Sequence, residues 1–437
     1  MNFKRLLLQS IFWRGLYFFS LLLVNIFLSR YLQAAGTGNL YFITIIFSFM
    51  QVVLSLSFDA GIIYFASGQI IERNKLTGII VSWSLISGIV MIALVYLFFV
   101  FESPYPDSLL KPCCIYAFCY VAGMSLMNYT TALFYTQDNF VLPNFLISLV
   151  NFLFIFFIPG KEKAPSAAEA EKIIYYFFAV FLVQGIVVFL SYLFKNRNTS
   201  SFGFPTRVET GAFFRYSITA LAANVIFFLV YRIDYLFVNA SPVCTAADLG
   251  NYIQVSKLGQ MMLVVPQIVA SVVFPRTASG VAREEMNKSI QIIARLFSQL
   301  YLTIFLFVAF FGKSFFILVF GESFNKMQAP MLLLIPGIFS ISVLALLSAY
   351  FSGKGNVQVN VRGAILALIV MITGDFIFVP FYGIAAAAAI STISYTVNLA
   401  YSMMQFYKDY SISWIEFLRW KKADYNWLFS MLTKDKT

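Results

Sequence analysis

Histidine is absent from this 437-residue sequence, cysteine occurs four times, and charged residues make up only 11% of it. Without histidine the commonest general base is missing, and any proton relay falls to carboxylates. Cys113, Cys114 and Cys119 share one apolar stretch, and Cys244 lies far away in the chain. Cys114 and Cys119 stand about 140° apart around a helix. With no histidine to complete a ligand set, a metal site is not expected and the thiols read as small buried apolar groups. The scarcity of charge excludes an ordinary soluble domain, which is roughly a quarter charged. Nucleotide-binding loops fail as well. Gly312-Lys313-Ser314 has Phe307 where the first glycine must sit, and Gly353-Lys354-Gly355 has no hydroxyl residue after the lysine. No nucleophile–base pair is visible, so no enzyme activity and no cofactor are expected.

Hydrophobic residues, by contrast, are 60% of the chain and aromatics 19%. Apolar runs near the ~20 residues that a bilayer core requires recur about twelve times. The first half gives Ile11–Tyr31, Leu40–Phe58, Leu76–Val100, Cys113–Phe134, Phe140–Ile158 and Ile173–Leu193; the second gives Phe213–Val238, Tyr252–Phe274, Ile290–Phe311, Met331–Phe351, Ala364–Phe381 and Ile384–Phe406. Polar–apolar alternation is missing, which excludes strands. The apolar run that starts at Leu6 outlasts a signal core, so the first span is expected to be retained. The expected fold class is an all-α polytopic membrane protein of about twelve transmembrane helices.

A net charge of +11 invites a nucleic-acid reading, but the basic residues are scattered among apolar runs and no module carries a groove. Membrane lipid with an anionic surface explains the charge better. With the N-terminus placed inside, 18 Lys and Arg fall in inner segments and 7 in outer ones. The positive-inside rule then puts both termini in the cytoplasm of a bacterial-type inner membrane.

The polar stretch 195–212 separates residues 1–194 from 213–407, with a basic, aromatic-rich tail over 408–437 that fits an amphipathic helix at the inner interface. The two halves repeat one another. Phe12-Trp13-Arg14 opens the first span and Phe213-Phe214-Arg215 the seventh. Gly38-Asn39 precedes the second and Gly250-Asn251 the eighth, and from these glycines Ala66-Ser67-Gly68 and Ala278-Ser279-Gly280 follow at the same 28-residue spacing. Because each half contains an even number of spans, the lobes are parallel repeats.

Ionisable residues inside spans are costly and mark candidate sites. Arg14 lies near the inner end of the first span, Asp59 at the inner end of the second, and Arg232 and Asp234 in the outer half of the seventh. Lys257 lies in the outer half of the eighth and Asp375 in the eleventh. Asp234 and Lys257 fall at similar depth, roughly 6–10 Å below the outer surface, which makes an ion pair between them plausible. Arg232 is about 200° from Asp234 around the helix and needs another partner. Arg30, at a span end, has the position of an interfacial anchor. Cationic groups along an internal path suit an anionic cargo. An inside-negative potential would favour export of two negative charges by about 4–5 kcal/mol per 100 mV.

Ser29-Arg30-Tyr31-Leu32 followed by Gly38-Asn39-Leu40-Tyr41 resembles the first outer loop of polysaccharide flippases of the Wzx type. Tyr231-Arg232-Ile233-Asp234, Leu249-Gly250-Asn251-Tyr252, Ser256-Lys257-Leu258 and Gly383-Ile384-Ala385-Ala386-Ala387 are similar to other segments of the same family, which belongs to the multidrug, oligosaccharidyl-lipid and polysaccharide exporter superfamily. The resemblance implies a V-shaped fold of two parallel six-helix lobes around a cationic cavity. It also implies outward flipping, by alternating access, of an undecaprenyl-diphosphate-linked glycan such as an O-antigen, capsule or exopolysaccharide repeat unit. Substrate binding is then expected of Arg14, Arg30, Arg232 and Lys257. Asp234, Asp375 and Asp59 would serve ion coupling or ion pairing, with H+ or Na+ as the coupling ion. Glycan polymerase or ligase proteins would be partners. Peptidoglycan-precursor flippases of the superfamily carry two further spans, which speaks against that cargo. The rivals are a multidrug or cation antiporter of the same superfamily, which would favour an acidic cavity, and a non-transporting scaffold for glycan synthesis, which would leave the buried charges without a purpose.

Overall fold

A computed structural model describes residues 3–101, 106–160, 165–197, 203–278, 283–410, 417, 419–421 and 423–425. Lys161, Lys163, part of the 195–212 linker, Ser279-Gly280 of the second repeat and most of the tail lie outside the described residues. Thirteen α-helices follow in order: α1 Phe3–Leu54, α2 Phe58–Ser67, α3 Arg73–Phe101, α4 Leu110–Tyr135, α5 Val141–Phe156, α6 Ala167–Lys195, α7 Arg207–Arg232, α8 Asp234–Ala240, α9 Ala246–Met262, α10 Val264–Ala278, α11 Arg283–Phe320, α12 Gln328–Gly353 and α13 Val357–Tyr410. No strand occurs among the described residues. Nine helical stretches there are long and apolar enough to cross a bilayer. The chain is a multi-pass membrane protein.

Two helices are long enough for two crossings each. The 52-residue α1 breaks at Gln33 (φ 57°, ψ −179°) and the 54-residue α13 breaks at Gly383 (φ 58°, ψ −139°). The outer loops expected between the first and second spans and between the last two shrink to one non-helical residue apiece. A further break falls at Ser55–Ser57, between α1 and α2, inside the run read as one span. Leu56 and Ser57 take positive φ there. Irregular backbone at membrane depth must be satisfied by the protein itself. Trp83 Nε1 donates to the Leu54 carbonyl at 2.8 Å, the Tyr129 hydroxyl to the Ser55 carbonyl at 3.0 Å, and Asn224 Nδ2 to Ser57 Oγ at 2.9 Å.

The chain forms two compact units that divide between Phe228 and Leu229. In the first, α4 is central, packed by α2, α3 and α6. A Cβ on Gly123 would lie 2.4 Å from the Phe181 carbonyl carbon, and one on Gly185 would lie 2.6 Å from the Gly123 oxygen. The α4–α6 crossing therefore depends on small residues that let the backbones meet. A buried polar chain, Gln184 Nε2 to Asn151 Oδ1 (2.7 Å) and Asn151 Nδ2 to Ser20 Oγ (2.9 Å), ties α6, α5 and α1 together. Most of α7 belongs to this unit. Phe213 is fully buried against Phe58 (ring centroids 4.9 Å apart) and Phe65 (5.8 Å), over Gly61, where a Cβ would come within 2.9 Å of the Phe213 ring.

In the second unit α12 is central, against α9, α10, α11 and both arms of α13. The C-terminal segment is fastened to α11. The Arg295 guanidinium donates to both carboxylate oxygens of Asp424, at 2.7 and 2.6 Å, with both side chains almost fully buried. Trp420 Nε1 donates to Ser298 Oγ (2.9 Å), Tyr425 bonds Gln299, and Phe417 packs on Phe406. The amphipathic helix expected over 408–437 falls largely outside the described residues, but the part described docks on protein.

Candidate functional site

The second unit gathers most of the singled-out charges. α7 ends at Arg232 and α8 begins at Asp234, so the two flank a one-residue interruption at Ile233. There the Leu236 N–H bonds the Ile233 carbonyl (3.0 Å), a tighter i→i−3 turn. Asp234 is 2% exposed. Its Oδ2 accepts from the Tyr252 hydroxyl at 2.5 Å and from Ser391 Oγ at 3.3 Å, and its Oδ1 from the Tyr235 N–H at 3.0 Å. The ion pair expected with Lys257 is thus replaced by neutral donors from α8, α9 and α13. Depth arithmetic places residues along a helix axis but does not say which face of α9 meets α8, and it is Tyr252 that does. Lys257, half-buried, lies within electrostatic range of Arg232 instead.

Arg232 donates through Nη1 to the Tyr235 hydroxyl (2.9 Å) and through Nη2 to Gln260 Oε1 (2.5 Å). Its guanidinium carbon stands 5.5 Å from the Tyr235 ring centroid. No ion pair forms to Arg232 among the described residues. A guanidinium has five N–H donors, so the two fixed by Tyr235 and Gln260 orient the group and leave the others for a ligand.

Asp375 is fully buried on the first arm of α13, and neither carboxylate oxygen has a hydrogen-bond partner among the described residues. Asp234 is its electrostatic neighbour. One turn along the same face lies Met371, whose sulfur is 3.7 Å from Ser391 Oγ, and Ser391 also bonds Asp234. Two carboxylates in one low-dielectric site cannot both stay ionised without a compensating cation. Arg232 supplies one such positive charge to Asp234.

The remaining candidates lie in the first unit. Arg14 is exposed on α1, its guanidinium 4.8 Å from the Tyr135 ring centroid and 5.8 Å from that of Phe140. Arg30 is exposed one turn before the Gln33 break. Asp59 is half-buried in the first turn of α2, where a negative charge complements the helix N-terminus. These three do not touch one another in any described contact. The Gly250-Asn251 motif proves architectural: Asn251 Nδ2 donates to the Ser323 carbonyl (3.1 Å) and Asn251 Oδ1 accepts from the Lys326 N–H (3.2 Å), while Lys326 Nζ reaches Asp248 at 2.6 Å.

Sequence reasoning missed Tyr252, Gln260 and Ser391. Tyr252 stood beside the repeated Gly-Asn pair, which is the only hint the chain offers. Gln260 and Ser391 carry no local signal.

No protein-family model matches the chain, and no curated protein matches its sequence. Its fold, however, is similar to solved transporter structures. A lipid II flippase MurJ in an inward closed conformation aligns with a TM-score of 0.70 and 15% identity, over 99% of this chain and 93% of that one. The Vibrio cholerae MATE transporter VcmN in its bent form aligns at 0.62 and 13%, over 95% and 98%. A transporter of the multidrug, oligosaccharidyl-lipid and polysaccharide superfamily from Pyrococcus furiosus, described as having a binding pocket of reversed polarity, aligns at 0.60 and 14%, over 93% and 95%. Identities this low establish the fold: the chain is built as these transporters are.

Proposed function

We propose that this protein is a flippase that moves an anionic, lipid-diphosphate-linked oligosaccharide from the inner to the outer leaflet of a bacterial inner membrane by alternating access. Both termini then face the cytoplasm, and residues 1–194 and 213–407 act as the two lobes. The observation that carries the reading is Arg232: a guanidinium inside a membrane helix, oriented by Tyr235 and Gln260, with no ion pair to it among the described residues although its charge acts on the buried Asp234 carboxylate. Such a fork matches a diphosphate better than a point charge would. Lys257, within electrostatic range of it, adds positive charge there, and Arg14 and Arg30 are further cationic candidates in the first unit. Asp234 and Asp375 carry the coupling ion, H+ or Na+, and Asp59 is a third acidic candidate.

The antiporter reading draws support from the same carboxylates, since an orphaned Asp375 suits cationic cargo as well as a coupling cation. Cells lacking the gene separate the two. A flippase defect accumulates lipid-linked repeat units on the inner leaflet, complementation restores export, and Arg232→Ala fails to complement while Arg232→Lys complements in part. Full export by both Arg232→Ala and Lys257→Ala, with no accumulation in the deletion strain, would transfer the assignment to the antiporter.

A further inference from the structure

The two arms of α13 meet along a seam whose second-arm side is polar. The second arm presents Ser391, Ser394, Asn398 and Ser402, spaced by three and four residues and therefore on one face; none is more than 4% exposed. Facing them, the first arm presents Met371, Ala367, Gly363 and Asn360, all buried and at the same periodicity. The register is fixed by contacts. Ser391 Oγ meets Met371 Sδ at 3.7 Å, Ser394 Oγ donates to the Ala367 carbonyl at 2.7 Å, and a Cβ on Gly363 would fall 2.3 Å from Asn398 Oδ1. Continued by one more turn, this pairing brings Ser402 level with Asn360.

Along the seam lie five of the eleven buried side-chain oxygens that have no hydrogen-bond partner among the described residues: both of Asp375, Asn398 Oδ1, Ser402 Oγ and Asn360 Oδ1. Each such oxygen costs about 1–3 kcal/mol when left unsatisfied. Their concentration in a single interface points to a shared ligand. A buried water needs two to four polar partners; the unpartnered oxygens of Asp375, Asn398, Ser402 and Asn360 offer them, while at the turn between them Ser394 Oγ already bonds the Ala367 carbonyl. At its far end Asn360 Nδ2 donates to the Ser348 carbonyl (3.1 Å) and Ser352 Oγ (3.0 Å), next to the Lys354–Asp409 pair at 2.7 Å. The positive-inside rule puts that end in the cytoplasm.

We propose that the seam between the arms of α13 holds a file of water molecules that conducts protons between the cytoplasmic face and the Asp234–Asp375 pair. The proposal rests on the reading of those carboxylates as the coupling site. It assigns the route to one lobe and makes Gly363 the narrowest point, where any side chain would displace Asn398.

The test uses the full chain with Cys113, Cys114, Cys119 and Cys244 replaced by serine and one thiol introduced by Asn398→Cys, Ser402→Cys or Leu399→Cys. Silver ion, a small monovalent cation that can follow a water-filled path leading to carboxylates, is added from the cytoplasmic side. Thiols at 398 and 402 should react about tenfold faster than the equally buried one at 399, because access governs thiol reactivity. Adding Gly363→Val should slow position 398 and spare 402. Equal rates at all three positions overturn the water file. The unsubstituted chain gives a second reading through hydroxyl-radical footprinting, in which Met371 on the seam should oxidise faster than Met331, itself only 1% exposed; equal oxidation again overturns the proposal. The coupling site has a separate fate. Labelling of the seam with export unaffected by Asp375→Asn keeps the water file and removes the coupling role, whereas loss of export with an unlabelled seam does the reverse.

Discussion

Tyr252 holds the Asp234 carboxylate through a 2.5 Å hydrogen bond in a site closed to solvent. Tyr252→Phe removes the donor and keeps the ring, so it should cost about 1–2 kcal/mol, between the value for bonds to charged groups and the smaller one measured between membrane helices. A lowered thermal midpoint in detergent checks this; an unchanged midpoint would mean that another donor takes over. Charged members of the candidate site were legible in the sequence because Arg232, Asp234 and Asp375 interrupt apolar runs, a costly placement that marks a residue as a candidate. Their neutral partners were not. With 25 tyrosines in the chain, nothing local distinguishes Tyr252. Ser391 hides in an alanine-rich run that reads as packing. The expected Asp234–Lys257 pair failed for the same reason: the face on which a side chain emerges relative to its neighbours is a tertiary fact.

Helices themselves were easy to read, since apolar runs of bilayer length have few alternatives. Their breaks were not. Gln33 sits at φ 57°, ψ −179°, a region that only glycine occupies without strain, yet neither glycine nor proline marks it. Gln33→Gly should therefore raise the thermal midpoint, relieving about 1–3 kcal/mol of strain against the 0.5–1 kcal/mol of extra chain entropy that glycine brings. Gly383→Ala should lower it, because its φ is also positive and the new Cβ would stand 3.0 Å from Cys244 Sγ. The break at Ser55–Ser57 depends on Trp83, Tyr129 and Asn224, all supplied from other helices. At the other end of the chain, the Arg295 guanidinium holds the Asp424 carboxyl below the usual carboxylate range. A carboxyl depressed in the folded state contributes stability above its unfolded value, about 3.9, and loses it as pH falls through the lower folded value. The tail should accordingly stay docked at pH 5 and detach only in stronger acid. Limited proteolysis across that range reads the detachment, and release already at neutral pH would contradict it. Asp424→Asn should expose the tail to protease at every pH.

At the scale of the molecule, composition sufficed to identify a multi-pass membrane protein, and the paired Gly-Asn and Ala-Ser-Gly segments are the sequence signal for an internal repeat. How α7 is shared could not be read, because Phe213 meets Phe58 and Phe65 across some 150 positions of chain. The proposed cargo, with two negative charges, would make the whole transporter electrogenic. In proteoliposomes, an inside-negative potential should favour outward accumulation by about 4–5 kcal/mol per 100 mV. Clamping the potential to zero with valinomycin and equal potassium should lower the accumulation; insensitivity to the clamp would require a compensating charge on each cycle.

The Arg295–Asp424 clasp has a consequence for biosynthesis. A chain inserted as it is translated delivers α11 to the bilayer long before Asp424 leaves the ribosome. Until then the α11 guanidinium lacks the carboxylate it is built to meet, and leaving one member of a buried pair uncompensated costs about 3–5 kcal/mol. The clasp can close only once the roughly 130 residues after Arg295 have been made, so a product ended before Asp424 leaves the guanidinium without this partner.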